Sequence, residues 1–143
     1  MQKNKIAVFD IDGTIFRKNL QFELINELSW MNVFPRKVRN QIVSLYTDWI
    51  EHKGTYEQYR LGLVHLYEKC IKGCKLEDIE RASKVVVSFH QDRTYIFAEQ
   101  LIKKLRHDGY HLIAVSGSPI EIVKEYNRMH LRFNAVFGSV YEC

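Results

Sequence analysis

The chain has 143 residues, a formal net charge of +4, 46% hydrophobic residues and 27% charged residues. This composition fits one globular domain with a core large enough to fold alone, and no apolar run reaches the roughly 18 residues that predict a membrane span. Lysine and arginine are spread along the chain rather than gathered in one block, so we expect a protein that binds neither nucleic acid nor membranes.

The first predicted element is a short apolar run over residues 5–9, which leads directly into Asp10. Its length and partly β-branched composition are typical of a buried strand in a parallel sheet. The run is too short for the apolar core of a secretion signal, so the expected location is cytoplasmic. We interpret residues 10–14 as the loop that leaves this strand at its carboxyl end, where open α/β sheets bind their ligands.

The next segment, residues 17–91, has the spacing of helices, because apolar side chains recur every three or four positions. Aromatic residues are frequent in this segment, and we interpret them as the core of a small helical bundle rather than as a cofactor site. The four apolar stripes are Leu20, Leu24 and Leu28; Val38, Ile42, Leu45, Tyr46 and Trp49; Tyr56, Tyr59, Leu63, Leu66 and Cys70; and Leu76, Ile79, Val86 and Phe89.

After this segment the chain returns to alternating helices and strands. Gly109 lies where a glycine commonly follows a helix, and Pro119 suits the first turn of the next helix. The pattern predicts a helix over residues 94–107, a strand over 111–115, a helix from 119 to about 130 and a strand over 134–138. We therefore predict an α/β fold in which residues 1–16 and 92–143 form the core and residues 17–91 form an inserted helical cap.

Asp10 and Asp12 are the first candidate catalytic residues. Two carboxylates at the end of an apolar strand are costly unless a cation or a function compensates them. One carboxylate can attack phosphorus and form an aspartyl-phosphate, while the other donates and accepts protons. Mg²⁺ would keep the first carboxylate anionic and reduce its repulsion from a phosphate. The alternative is that the pair marks an ordinary turn.

A second polar segment, Ser116-Gly117-Ser118, follows the second predicted strand. Its hydroxyl and backbone N–H groups can bind an anion, although such a segment is commonly only a turn. A role in ligand binding is supported because the segment, like the first motif, lies at the carboxyl end of a predicted strand.

These motifs resemble those of the haloacid dehalogenase superfamily. The sequence DIDGT after an apolar strand is similar to the first motif of that family, and HLIAVS, which ends at Ser116, is similar to the second. The helical insert and the ending FNAVFGSVYE resemble the phosphoserine-phosphatase-like branch, subfamily IB. The resemblance implies a Rossmann-like core with a parallel sheet, a helical cap after the first strand, and Mg²⁺-dependent hydrolysis of a small phosphorylated substrate.

The resemblance also implies a role for each motif residue. Asp10 would be the nucleophile and a Mg²⁺ ligand. Asp12 would be the general acid and base, with its backbone carbonyl on the same metal. Ser116 would bind the phosphoryl oxygens, helped by backbone N–H groups around Ile11, Asp12 and Gly117.

Two departures from the family change these expectations. Family members continue to a lysine and distal acids, for which no sequence remains here, and Lys124 comes too early to replace that lysine. We therefore expect a truncated form that binds Mg²⁺ weakly, turns over slowly and can self-associate through an exposed first strand.

The second departure concerns the substrate. Asn19 stands where phosphoserine phosphatases carry an acid suited to an ammonium group, so we predict that Arg17, Lys18 or Arg60 contacts a second anionic group, unless these are only surface charges. Two other functions stay open, namely a non-catalytic binding module and a phosphotransferase or phosphomutase.

Overall fold

The computed structural model describes residues 4–142. Its secondary structure confirms the predicted α/β class, since it combines helices with a parallel three-stranded sheet. The strands are β1 (Ile6–Asp10), β2 (His111–Pro119) and β3 (Ala135–Ser139), and the helices are α1 (Leu20–Trp30), α2 (Lys37–Ile50), α3 (Tyr56–Ile71), α4 (Leu76–His90), α5 (Ile96–His107) and α6 (Ile120–Tyr126), the last continued by a π-helical turn over Asn127–Leu131.

The sheet has the strand order β1-β2-β3, and both neighbouring pairs are parallel. Each parallel pair of strands is joined by a crossover connection, and such connections are nearly always right-handed. Because both crossovers proceed in the same direction across the sheet, their helices lie on the same face. Ala7 and Phe9 of β1 accordingly pack against the hydrophobic core. The opposite face, which we call the bare sheet face, exposes Ile6, Val8, Val115 and Phe137.

The prediction of a fully buried first strand is therefore wrong. Val8 is 63% exposed because β1 forms the edge of the sheet within residues 4–142 and its outer side chains face no covering element there. The expectation of an exposed apolar first strand describes the observed arrangement instead. None of the helices within residues 4–142 is long and apolar enough to cross a membrane.

The second strand is longer than predicted. Ser116-Gly117-Ser118 lies within β2 rather than in a loop after it, although the pairing with β3 is irregular between Val115 and Pro119. Pro119 precedes α6 as its N-cap instead of occupying its first turn. At this point β3 passes close to β2, since a Cβ at Gly138 would stand 2.9 Å from the Ser118 carbonyl oxygen.

Two chain crossings connect the helical segment α1–α4 to the sheet region, and they lie side by side. The Arg17 backbone N–H donates to the Arg93 carbonyl at 2.8 Å, and the Tyr95 N–H donates to the Ile15 carbonyl at 3.0 Å. Phe16, which is fully buried, forms an antiparallel bridge with Thr94. This pairing holds the exit and the entry of the segment at one place, while the predicted domain boundaries themselves stay predictions.

The four predicted helical stripes supply much of the core, but not all of their members are buried. Leu20, Leu24 and Leu28 are at most 1% exposed. Leu76 and Phe89 lie near the two ends of α4, and both are exposed. The predicted core assignment is also wrong for Tyr46 and Tyr56, which are both exposed.

Candidate active site

Asp10 ends β1 with its carboxylate exposed to solvent. The one hydrogen bond that residues 4–142 give its side chain comes from the next backbone N–H, that of Ile11, at 2.9 Å. The Ile11 side chain is fully buried, so only its backbone faces this site. The position therefore leaves a carboxylate oxygen of Asp10 accessible to an incoming group.

Asp12 has opposite surroundings, because three donors hold its carboxylate. Its Oδ1 accepts a hydrogen bond from the Leu20 backbone N–H at 2.7 Å. Its Oδ2 accepts one from the Ser116 hydroxyl at 2.7 Å and another from the Ser118 hydroxyl at 3.0 Å. Gly13 makes the turn possible, since its φ of +76° lies in the left-handed region that side chains disfavour.

Burial raises the pKa of the Asp12 carboxyl above its ordinary value, and the charge of Asp10 adds to the rise. The hydrogen bonds from Leu20, Ser116 and Ser118 stabilise the anion and act in the opposite direction, but they do not outweigh the loss of solvation. Asp12 consequently holds a proton more readily than an exposed aspartate does. Such a group suits proton donation to a leaving oxygen.

Ser118 and Gln21 belong to the site but were not among the predicted site residues. The Ser118 hydroxyl accepts a hydrogen bond from the Gln21 backbone N–H at 3.1 Å while it donates to Asp12. The Ser118 N–H in turn donates to the Ser116 hydroxyl at 3.0 Å. The alternation of side chains along a strand places residues 116 and 118 on one face, and this signal could have identified Ser118.

The two aspartates share one cleft, which we call the carboxylate cleft. It has a volume of about 420 Å³. Gly117 and Ser118 also line it, whereas Ser116 lies behind Asp12 with its hydroxyl directed at that carboxylate. An added Cβ at Gly117 would meet no atom within 4 Å, so the backbone has free space beside it. The structure thus brings Asp10, Asp12 and Gly117 together, with Ser116 supporting Asp12.

The predicted anion-binding side chains lie in different places. Arg60 lines the carboxylate cleft, although its guanidinium is also paired with the Glu57 carboxylate at 2.5 Å. The Lys18 amine lies 3.4 Å from a carboxylate oxygen of Glu23.

Asn19, at the position compared with an acid of phosphoserine phosphatases, has a structural contact. Its side chain caps α1 by accepting a hydrogen bond from the Phe22 N–H at 3.2 Å. Asn, like Ser and Asp, is a favoured residue for this capping role.

The donor chemistry near Asp10 fits a hard cation only in part. An exposed carboxylate and nearby backbone carbonyls are the oxygen ligands that Mg²⁺ accepts, and Mg²⁺ commonly keeps several waters and takes further oxygens from a phosphate. Within residues 4–142, however, no cluster of three or more His, Cys, Asp or Glu side chains could hold a metal. Among the described side chains, the exposed Asp10 carboxylate is a chemically suitable Mg²⁺ ligand, but no complete ligand set of side chains forms around it.

A family model described as haloacid dehalogenase-like hydrolase matches residues 7–142. A comparison with curated proteins gives no match. Among solved structures, a protein with unknown function from Bordetella pertussis Tohama I has a TM-score of 0.67 at 12% identity, covering 99% of this chain and 62% of its own. A phospho-aspartyl intermediate analogue of phosphoserine phosphatase has a TM-score of 0.53 at 24% identity, covering 96% of this chain and 56% of its own.

A substrate-bound phosphoserine phosphatase is similar to the same extent, with a TM-score of 0.54 at 23% identity and coverage of 96% of this chain and 57% of its own. At these identities the likeness shows a shared fold. The chain spans 56–62% of the length of these three proteins.

Proposed function

The chain belongs to the haloacid dehalogenase-like hydrolase family, and from this premise we propose that the carboxylate cleft hydrolyses small phosphomonoesters through an aspartyl-phosphate on Asp10. The observation that carries the proposal is the contrast within the pair. Asp10 is exposed and has one local hydrogen bond, whereas Asp12 is partly buried, held by three donors and has a raised pKa. A nucleophile needs the first environment, and a general acid needs the second.

In the first step, a carboxylate oxygen of Asp10 attacks the phosphorus of the substrate. The bond from phosphorus to the leaving oxygen breaks, and protonated Asp12 donates its proton to that oxygen, so the alcohol leaves. The product is a mixed anhydride on Asp10 and an anionic Asp12. The hydroxyls of Ser116 and Ser118 already point at the Asp12 carboxylate, so they stabilise the charge that this proton transfer creates.

In the second step, anionic Asp12 accepts a proton from water as the water oxygen attacks the phosphorus. The anhydride bond to Asp10 breaks, which releases inorganic phosphate and regenerates both starting carboxyl groups. Gly117 contributes space at the cleft wall for the phosphoryl group. Because the same residue gives and later takes one proton, the cycle needs no other acid from the described chain.

Mg²⁺ bound beside the Asp10 carboxylate and the Asp12 backbone carbonyl would screen the negative charge between nucleophile and phosphate. The partial donor set around Asp10 supports weak binding of this ion. We therefore propose that the 143-residue chain hydrolyses phosphomonoesters slowly. A rate for p-nitrophenyl phosphate in the range of about 1–1,000 per second, as is usual for enzymes, would contradict this expectation.

The central test is capture of the phosphoryl analogue beryllium fluoride, followed by fluorine NMR in the presence of Mg²⁺. Wild-type protein should give bound-fluoride signals, and Asp10→Asn should give none. Glu68→Gln is the matched control, because Glu68 is another carboxylate that lines the same cleft. Equal signals from wild type and Asp10→Asn would overturn the assignment of Asp10 as nucleophile.

One observation favours a second candidate, a module that binds phosphorylated ligands without turning them over. Although Glu68 also lines the cleft, no group of three His, Cys, Asp or Glu side chains within residues 4–142 could hold a metal. Under this alternative, beryllium fluoride fails to bind at Asp10 while inorganic phosphate still binds in the cleft, as calorimetry can measure. If phosphate esters form when acceptor alcohols are added, the chemistry is phosphotransfer.

A further inference from the structure

A second cleft adjoins the carboxylate cleft, and we call it the aromatic cleft. It has a volume of about 480 Å³, and its walls include Arg17, Trp49, Tyr56 and Tyr59. Asp12, Asn19 and Phe22 line both clefts. A molecule that places a phosphate at Asp10 can therefore extend past Asp12 into the aromatic cleft.

The walls of this cleft carry a layered group of rings from the hairpin of α2 and α3. Trp49 and Tyr59 are stacked, with ring centroids 5.2 Å apart and planes 14° from parallel. Tyr56 packs edge-on against Trp49 at 5.1 Å, and Phe22 packs edge-on against Tyr59 at 5.5 Å. The rings hold one another in fixed orientations, so the cleft presents preformed aromatic surface.

The rings differ in burial: Phe22 and Tyr59 are partly buried and pack against the hydrophobic core, and Trp49 is partly buried as well. Tyr56 is 47% exposed. Core aromatic residues elsewhere in the chain, such as Phe34 and Tyr67, are at most 1% exposed. An aromatic cluster that served only to hold α2 against α3 would gain most from complete burial. Its partial exposure at the wall of a cleft that reaches Asp12 indicates a surface for a ligand.

We propose that the aromatic cleft binds a planar aromatic leaving group, so that the substrate class is phosphomonoesters of aromatic or nucleoside alcohols. The proposal rests on the function proposed above. Ring faces attract other rings in offset-stacked or edge-on arrangements beyond the gain from buried area, whereas a saturated ring of equal size obtains only the area. Arg17 lines the same cleft and can place its guanidinium plane against a ring or pair with an anionic substituent.

The test compares phenyl phosphate with cyclohexyl phosphate, which match in charge and size but differ in aromaticity. Binding is measured by calorimetry on Asp10→Asn protein, which cannot turn either compound over. We expect phenyl phosphate to bind about tenfold more tightly. Tyr56→Leu should reduce that preference to less than about threefold. Tyr95→Leu, a change at a similarly exposed tyrosine that lies outside both clefts, should keep it.

A fluorescence titration gives a second readout. The chain has two tryptophans, and Trp30 is exposed with the Arg39 guanidinium 4.3 Å above its ring. Trp30→Phe therefore leaves Trp49 as the sole tryptophan reporter. Phenyl phosphate should change its emission with a saturating dependence, and cyclohexyl phosphate should change it much less. Tighter binding of a nucleoside monophosphate than of phenyl phosphate would identify a nucleobase as the ring that the cleft accepts.

The outcomes separate the two proposals. Equal affinity for the phenyl and cyclohexyl compounds, or an unchanged preference in folded Tyr56→Leu protein, overturns the aromatic cleft even if Asp10 is phosphorylated. A clear aromatic preference without any beryllium fluoride capture at Asp10 overturns the proposed chemistry and keeps the binding site. Circular dichroism on each variant verifies that the loss of preference does not come from unfolding.

Discussion

Asp10 lies at the exposed end of β1 with one hydrogen bond from its neighbour in sequence, whereas Asp12 lies two residues later among donors from α1 and β2. The two residues have the same side chain and almost the same place in the chain. Their surroundings differ because the Ser116 and Ser118 hydroxyls, which come from more than 100 positions away, reach only Asp12.

Tertiary contacts, rather than the local sequence, therefore determine how the environments of the two carboxylates differ. The carboxylate that tertiary contacts hold has its pKa raised by burial and is fixed in orientation. The carboxylate that they leave alone keeps an accessible oxygen. Each of the following predictions changes the surroundings of either Asp10 or Asp12.

Asp12→Ala should have the largest effect on stability. It leaves the Leu20 N–H and the Ser116 and Ser118 hydroxyls without their acceptor, and each unsatisfied buried group costs about 1–3 kcal/mol, so the free energy of unfolding should fall by about 3 kcal/mol or more. Asp10→Ala should change it by less than about 0.5 kcal/mol, as is usual at exposed positions. Urea unfolding of both variants makes the comparison. Equal losses of unfolding free energy in the two variants would show that the additional hydrogen bonds of Asp12 do not stabilise the fold.

Ser118→Ala should have the next largest effect, because Ser118 links Asp12 to the start of α1. The variant removes one donor to Asp12 and leaves the Gln21 N–H unpaired in a buried place, which should cost about 1–3 kcal/mol by urea unfolding. Ser139→Ala is the matched control, since the Ser139 hydroxyl donates only to the Gly117 carbonyl at the exposed rim of the same cleft. A larger loss for Ser139→Ala would contradict the proposed linking role.

Asp10 is the exposed member of the pair, and its side chain lies on the same side of β1 as Val8, the side of the bare sheet face. We propose that two copies of the chain associate through this face and the free edge of β1, since exposed apolar strands at a sheet edge favour such pairing. Val8→Lys should then raise the dissociation constant at least about tenfold, equivalent to about 1.4 kcal/mol, in sedimentation experiments. Val43 on α2 is 62% exposed, close to the 63% of Val8, so Val43→Lys is the control that should leave association unchanged.

Purely monomeric wild-type protein at high concentration would disprove the association. It would also mean that Asp10 keeps its full exposure in solution. If the association occurs, fluorine NMR at low and high protein concentration will tell whether the partner copy restricts access to Asp10.

The smallest effect is the pH dependence of stability. The folded state raises the Asp12 pKa above its ordinary 3.8, so this carboxyl favours folding while both states are protonated, below pH 3.8. That contribution is lost as pH rises through the raised pKa. The free energy of unfolding of wild type minus that of Asp12→Asn should therefore decline between pH 3.8 and neutrality.

Asp10→Asn should shift this decline toward lower pH, because the Asp10 charge is one cause of the raised Asp12 pKa. The shift should be small, since burial is the main cause. Urea midpoints measured across this pH range for wild type and both variants provide the check. A difference that grows with pH would mean that the three hydrogen bonds outweigh burial.

Much of this arrangement could be predicted because its signals are local. The apolar run before Asp10, the turn at Gly13 and the second strand before Ser116 each lie within a few residues of the features that define them. Parallel strands align their carboxyl ends, so the meeting of the two motifs also followed from the pattern. What the local pattern lacked was which hydroxyl would contact which acid.

The failures have a common physical cause. Burial of Val8 depends on what covers the sheet face, and an apolar stripe gives no information on whether a partner element is present. Ser118 lay in the predicted anion-binding segment, but its contacts with Asp12 and Gln21 were not predicted because they join parts of the chain that are distant in sequence. Tyr56 has the spacing of a core residue but is 47% exposed, since the periodicity of a helix does not show whether its apolar side is covered.

The contact between Asp12 and the Leu20 N–H has a mechanical consequence. Leu20 is the first residue of α1, so the Asp12 carboxylate stands at the positive end of the helix dipole. When Asp12 loses its proton, its attraction for this helix end increases, and when it regains one, the attraction weakens. In the proposed cycle, each proton transfer at Asp12 would therefore alternately strengthen and weaken the contact that holds the start of α1.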